Sequence, residues 1–123
     1  MSNQMKICAV DFDGTLCSHE FPEIGKPNVH VIEFVKNFRK EGNKVILHTC
    51  RGGKCLEKAL RWCEKQGLEF DAINDDLPEI KETRFGKTKS KKIYASLYLD
   101  DKAVHPETLK VLKNKYKEID NDD

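Results

Sequence analysis

Asp11 and Asp13 stand one residue apart in the stretch "CAVDFDGTL", with Phe12 between them, Gly14 behind them and an apolar run in front. A solvated turn needs polar residues there, but not this pattern. A second acidic pair, Asp100 and Asp101, closes "ASLYLDD", again directly after an apolar run, and Thr49 closes a third run, "KVILHT". Four carboxylates gathered at one place repel one another unless a cation sits among them. Mg²⁺ is the expected guest, because it prefers hard oxygen ligands and keeps several waters. Such an ion takes a further ligand from its substrate, typically a phosphate oxygen. Thr49 can hydrogen-bond that phosphate, and a lysine can neutralise it. The basic run "RFGKTKSKK" (84–92) supplies Lys87, Lys89, Lys91 and Lys92.

These residues gather only if the elements before them align. "KICAV" (6–10) is a short apolar run, suited to a strand buried on both faces. Val31, Phe34, Val35 and Phe38 form a helical stripe over 29–41, closed by Gly42. Residues 44–49 form the next strand, and Leu56, Ala59, Leu60 and Cys63 mark a second helix ending at Gly67. "FDAIN" (70–74) predicts a third strand and 95–101 a fourth, with an irregular stretch over 75–92 between them. Pro106 opens a last helix, with Glu107 in its first turn and lysines towards its end. The tail "DNDD" is expected to fray.

Alternating strands and helices predict an α/β fold on an open, mainly parallel sheet of about four to five strands. In such sheets ligands bind beyond the carboxyl ends of the strands, near a topological switch point. Asp11, Asp13, Thr49, Asp100 and Asp101 all fall at that rim.

The bulk numbers narrow the function classes. The 123 residues suit one domain over 1–123, and 35% charged against 38% apolar residues reads as an ordinary soluble chain. A net charge of +1 favours neither nucleic acid nor membrane globally, so any preference for anions must arise from local clustering. No signal peptide and no run approaching the ~20 apolar residues of a membrane span predict a cytoplasmic protein without a membrane partner. The five cysteines are odd in number and scattered, which predicts reduced thiols, with Cys8 and Cys63 acting as small hydrophobes. Trp62 reads as helix packing, and His19, His30, His48 and His105 show no ligand-like spacing.

"DFDGTL", the strand-end threonine in "ILHTCR", a lysine and "LYLDD" match, in order, the four motifs of the haloacid dehalogenase (HAD) superfamily. The chain resembles the small capless phosphatase-like members from Val10 to Asp101. The resemblance implies a three-layer Rossmann-like (HAD-like) fold and a Mg²⁺-dependent phosphomonoester phosphatase. Asp11 would be the nucleophile that forms an aspartyl-phosphate. Asp13 would be the general acid–base, its carbonyl binding Mg²⁺ beside the carboxylates of Asp11 and Asp100. Asp101 would hold the ion directly or through water. Thr49 and Lys92 would hold the phosphoryl oxygens, with Lys91 the alternative lysine. Gly14 lets the chain turn and Thr15 steadies the loop; Cys50 and Arg51 complete the substrate-binding set. Arg51 suits phosphate or carboxylate, and a surface role is equally open.

The chain departs from many relatives in its short spacings, since 33 residues separate Thr15 from Thr49. No cap domain fits there, so the site should be open, to a bulky phosphorylated substrate or to a neighbouring subunit acting as lid in a homo-oligomer. "HTCRGG" lacks the arginine a cysteine phosphatase needs, because Leu56 stands six residues after Cys50. "GKT" (86–88) lacks the upstream glycine of a P-loop, Lys81 standing in its place. Two rival classes remain. A receiver-like phosphoacceptor domain has a similar inventory but a different motif order. A nucleic-acid-binding protein would use the basic loop 84–92, and the two ideas merge if the open rim processes a phosphorylated nucleic-acid end.

Overall fold

The computed structural model describes residues 4–82 and 92–108. Four strands, β1 (Ile7–Val10), β2 (Lys44–Leu47), β3 (Ala72–Ile73) and β4 (Leu97–Leu99), form one sheet in the order β3-β2-β1-β4. Every pairing is parallel. Helix α1 (Val29–Lys40) links β1 to β2, α2 (Gly53–Lys65) links β2 to β3, and a one-turn α3 (Pro78–Lys81) follows β3.

The period-two alternation of the strands sorts the core into two layers. Cys8 and Val10 of β1 join Val45 and Leu47 of β2 in one cluster with Ile32, Val35 and Phe38 of α1 and Ala59 and Cys63 of α2. Ile7 and Ile46 point the other way and pack with Leu77 and Ile93. The result is a three-layer α/β, Rossmann-like fold, with both long helices on one face and α3 with the segment around Ile93 on the other. Burial pushes the Cys8 thiol up to about 11 and the Cys63 thiol to about 12, as expected of cysteines packed as hydrophobes. Trp62 packs edge-on against Phe12, with 5.4 Å between ring centroids.

Several elements differ from the sequence reading. Only four residues of 6–10 and of 44–49 are in the ladders, since strand pairing stops where the chain turns into the rim. The stretch after β3 is not wholly irregular: Pro78 at the first helical position starts α3. The expected last helix begins as a 3₁₀ turn at Pro106–Thr108, and its continuation and the tail lie outside the described residues. Lys91 and most of the 84–92 basic loop lie outside them too. Among the described residues no helix is long and apolar enough to cross a membrane.

The topology fixes where a site can form. β1 is central, with β2 on one side and β4 on the other, so the chain reverses its direction across the sheet between β1 and β4. That is the switch point where open α/β sheets leave a crevice.

Candidate active site

Val10 pairs with Leu99 in the ladder between β1 and β4, and the Asp11 N–H donates to the Leu99 carbonyl at 2.9 Å. Asp11 and Asp100 are therefore the first residues past two adjacent strand ends. One carboxylate oxygen from each of Asp11, Asp100 and Asp101 lies within 4.8 Å of the others. Burial pushes the Asp11 carboxyl above the ordinary carboxylate range, and the charges of Asp100, Asp101 and Asp13 add to that rise. The hydrogen bond from the Phe12 N–H, at 2.7 Å, opposes it. Three hard oxygens this close are a donor set that fits Mg²⁺.

Gly14 explains how Asp101 comes so near. Its φ of +82° is a conformation that side chains disfavour, and a Cβ there would lie 2.3 Å from Asp101 Oδ2. Gly14 thus acts as a spacer between the first acidic motif and the last, a role more specific than a sharp turn. Its N–H donates to the Cys17 carbonyl, and the Thr15 and Leu16 N–H groups both donate to the Phe12 carbonyl. Thr15 is buried, and its hydroxyl has no hydrogen-bond partner among the described residues.

Asp13 belongs to a different substructure. Arg51 grips it in a fork, Nε donating to Oδ2 at 2.9 Å and Nη2 to Oδ1 at 2.8 Å. The remaining guanidinium donors reach the carbonyls of Pro22 (3.2 Å), Cys55 (3.3 Å) and Glu23 (2.9 Å). All five N–H donors of the group are thereby used. The guanidinium also lies between aromatic rings, 4.9 Å from the Phe12 centroid and 5.1 Å from that of Phe21. The Arg51 side chain is 1% exposed and that of Asp13 15%. The alternative of a surface role for Arg51 is corrected: its side chain is buried and its donors are engaged by Asp13 and three backbone carbonyls. Its work is to orient Asp13 and tie down the loop that carries Phe21.

Thr49 is buried, accepts the Arg51 N–H on its hydroxyl at 3.1 Å and donates its own N–H to the Asn74 side chain at 2.7 Å. Asn74 sits just past β3 with φ of +53°, a left-handed conformation that asparagine tolerates better than most residues. Sequence reasoning found nothing at the third strand end; Asn74 there braces the second.

A cavity of about 230 Å³ lies against the rim, lined by Asp11, Asp13, His19, Phe21, Cys50, Arg51 and Lys102. Asp11, Asp13, Cys50 and Arg51 are thus brought together as expected. Lys92 is not among these lining residues. Its ammonium stands over the Tyr98 ring at 5.1 Å, whereas Lys102, two residues past Asp100, borders the cavity. His19, Phe21 and Lys102 were not foreseen. Lys102 had a signal, since it directly follows the acidic pair; Phe21 had only its place in the rim loop.

No protein-family model and no curated protein matches the chain. Among solved structures it is similar to that of the conserved protein coded by a locus from Bacteroides thetaiotaomicron, at 35% identity and a TM-score of 0.71. The similarity covers 91% of this chain and 93% of that one. At that identity and coverage, the chain belongs to the same protein family as the conserved Bacteroides thetaiotaomicron protein.

Proposed function

We propose that this protein is a Mg²⁺-dependent phosphohydrolase of the haloacid dehalogenase type, cleaving phosphomonoesters through an aspartyl-phosphate on Asp11. The observation that carries the reading is the convergence of Asp11, Asp100 and Asp101 beside a cavity that Asp13 also lines. Asp11 and the two later aspartates would hold the ion, which when bound offsets phosphate charge and the mutual repulsion of the carboxylates.

In the first half-reaction an Asp11 oxygen bonds to phosphorus as the bond from phosphorus to the leaving oxygen breaks, and Asp13 gives that oxygen a proton. In the second, Asp13 takes a proton from water, the water oxygen bonds to phosphorus, and the Asp11–phosphorus bond breaks to release phosphate. Each Asp13 oxygen accepts one bond from Arg51 and keeps a second lone pair for this proton traffic. Arg51 fixes the carboxylate so that no reorientation is needed at the moment of transfer. Thr49 and Lys102 are the groups at this rim suited to phosphoryl oxygens. The absence of a lid among the described residues favours phosphorylated substrates with bulky leaving groups.

The test is a panel of phosphomonoesters assayed with Mg²⁺ for the wild type and Asp11→Asn. The wild type should release phosphate over many turnovers, and the variant should lose at least roughly a thousandfold in rate while keeping its fold. A variant that retains a substantial share of the rate excludes Asp11 as nucleophile, and a wild type inert on the whole panel overturns the reading.

A further inference from the structure

Helix α2 carries a charge pattern that the proposed chemistry leaves unused. At 3.6 residues per turn, Lys54, Lys58, Arg61 and Lys65 fall within an arc of about 60°. That arc lies on the side away from the buried Ala59 and Cys63. All four cations are exposed, and none forms an ion pair among the described residues. The acidic residues of the helix, Glu57 and Glu64, sit on the flank away from Trp62 by the same geometry. In a chain of net charge +1 this is a concentrated cationic stripe, about 16 Å long at 1.5 Å per residue.

The stripe borders a cleft. Lys58, Arg61, Trp62 and Lys65 line one side of a cavity of about 450 Å³, and Pro22, Glu23 and Ile24 line the other. The same loop separates this cleft from the acidic cavity. Phe21, 54% exposed, lines the acidic cavity, and the next two residues line the cleft while their carbonyls are held by Arg51. The two cavities therefore share one braced wall.

We infer that the α2 stripe and the 21–24 loop form a track for single-stranded nucleic acid whose terminal phosphate reaches the Asp11 cavity; only the fate of that phosphate rests on the phosphatase reading. Regularly spaced cations match a backbone of repeating anions. Two aromatic residues, Trp62 in the cleft wall and Phe21 by the cavity, supply the stacking surfaces that single-strand grooves combine with such charge. An acidic peptide would satisfy the cations but offers no bases to stack on the two rings.

The chain has one tryptophan, so its intrinsic fluorescence reports on the cleft. A short oligothymidylate without terminal phosphate should quench Trp62, whereas polyglutamate of equal charge should not. Quenching by polyglutamate at the same concentrations overturns the inference in favour of an acidic peptide. Fluorescence anisotropy of a labelled oligothymidylate should show affinity falling linearly with log salt. The triple variant Lys58→Gln, Arg61→Gln, Lys65→Gln should bind about tenfold or more weakly, with the slope reduced by roughly 2. In kinetics, the triple variant should raise KM about tenfold for a phosphorylated oligonucleotide and leave it unchanged for p-nitrophenyl phosphate. Equal affinities of wild type and triple variant overturn the track even if small esters are cleaved. Variant-sensitive oligonucleotide binding without hydrolysis of any ester supports the track and overturns the phosphatase reading.

Discussion

Among the described residues, removing Arg51 should cost more stability than removing any other single charge, and the structure sets the size of the loss. Arg51→Ala leaves the Asp13 carboxylate, 15% exposed, without its two charged donors and leaves three backbone carbonyls without theirs. Breaking a buried ion pair by deleting one partner costs about 3–5 kcal/mol. At roughly 4 °C per kcal/mol for a domain of this length, Tm should fall by about 12–20 °C. Arg51→Lys keeps the charge but not the planar fork, so it should lose less, about 1–3 kcal/mol.

The pair can be separated from the carbonyl contacts by a double-mutant cycle with Asp13→Ala and Arg51→Met. Urea unfolding followed by circular dichroism at neutral pH, without added metal, supplies the four stabilities. The double variant should be more stable than the sum of the singles implies, by roughly 2 kcal/mol, because neither charge is then left buried alone. Additive losses, or an Arg51→Ala cost below about 1 kcal/mol, would show that the fork does not hold Asp13 and that the loop contacts are incidental.

Two further outcomes follow from the charges. Asp100→Asn should raise the Mg²⁺ concentration needed for half-maximal hydrolysis by about tenfold, with activity regained at high Mg²⁺, as checked by titrating the ion at saturating ester; an unchanged requirement removes Asp100 from the metal set. Far from the site, burial pushes the Asp71 carboxyl up, but hydrogen bonds from Arg39 and the Val45 N–H, with the Arg39 and Lys44 charges, outweigh it and hold it below the ordinary carboxylate range. A depressed folded-state value contributes stability above the unfolded value of about 3.9, and that contribution is lost as pH falls through the folded value. Asp71→Asn should therefore destabilise by about 1–2 kcal/mol at pH 7 and the difference should shrink in acid, measured by urea unfolding across pH; a pH-independent difference refutes the charge-based account.

The acidic rim was legible because a parallel sheet sends every strand's carboxyl end to the same edge, whatever the loops do. Asp11 and Asp100 needed only two apolar runs read as strands, and the ladder register then places them side by side. Both long helices were legible for a similar reason, their apolar stripes being local in sequence, although in α1 it is Ile32 that is buried with Val35 and Phe38 while Phe34 is exposed. Helix α3 was not, because one turn contains no periodicity and only Pro78 signals it.

What escaped the sequence lies between elements. Arg51 meets Asp13 across 38 residues, and its three carbonyl partners come from two separate segments. No periodicity encodes such a contact. It depends on closure of the rim loop, with Ser18 bonded to Lys26 through backbone and hydroxyl, and Gly25 leaving the room that Ser18 occupies. Asn74 is a similar case, since its left-handed backbone aims an amide at Thr49 from a neighbouring strand. The residues proposed for chemistry are thus set by strand ends, and the residues that hold them still are set by loop closure. Asp13 shows why the second group matters to the first: its position is given by β1, but its orientation is given by Arg51, which also holds the wall that the acidic cavity shares with the α2 cleft. Loosening that one guanidinium should therefore disturb both cavities at once.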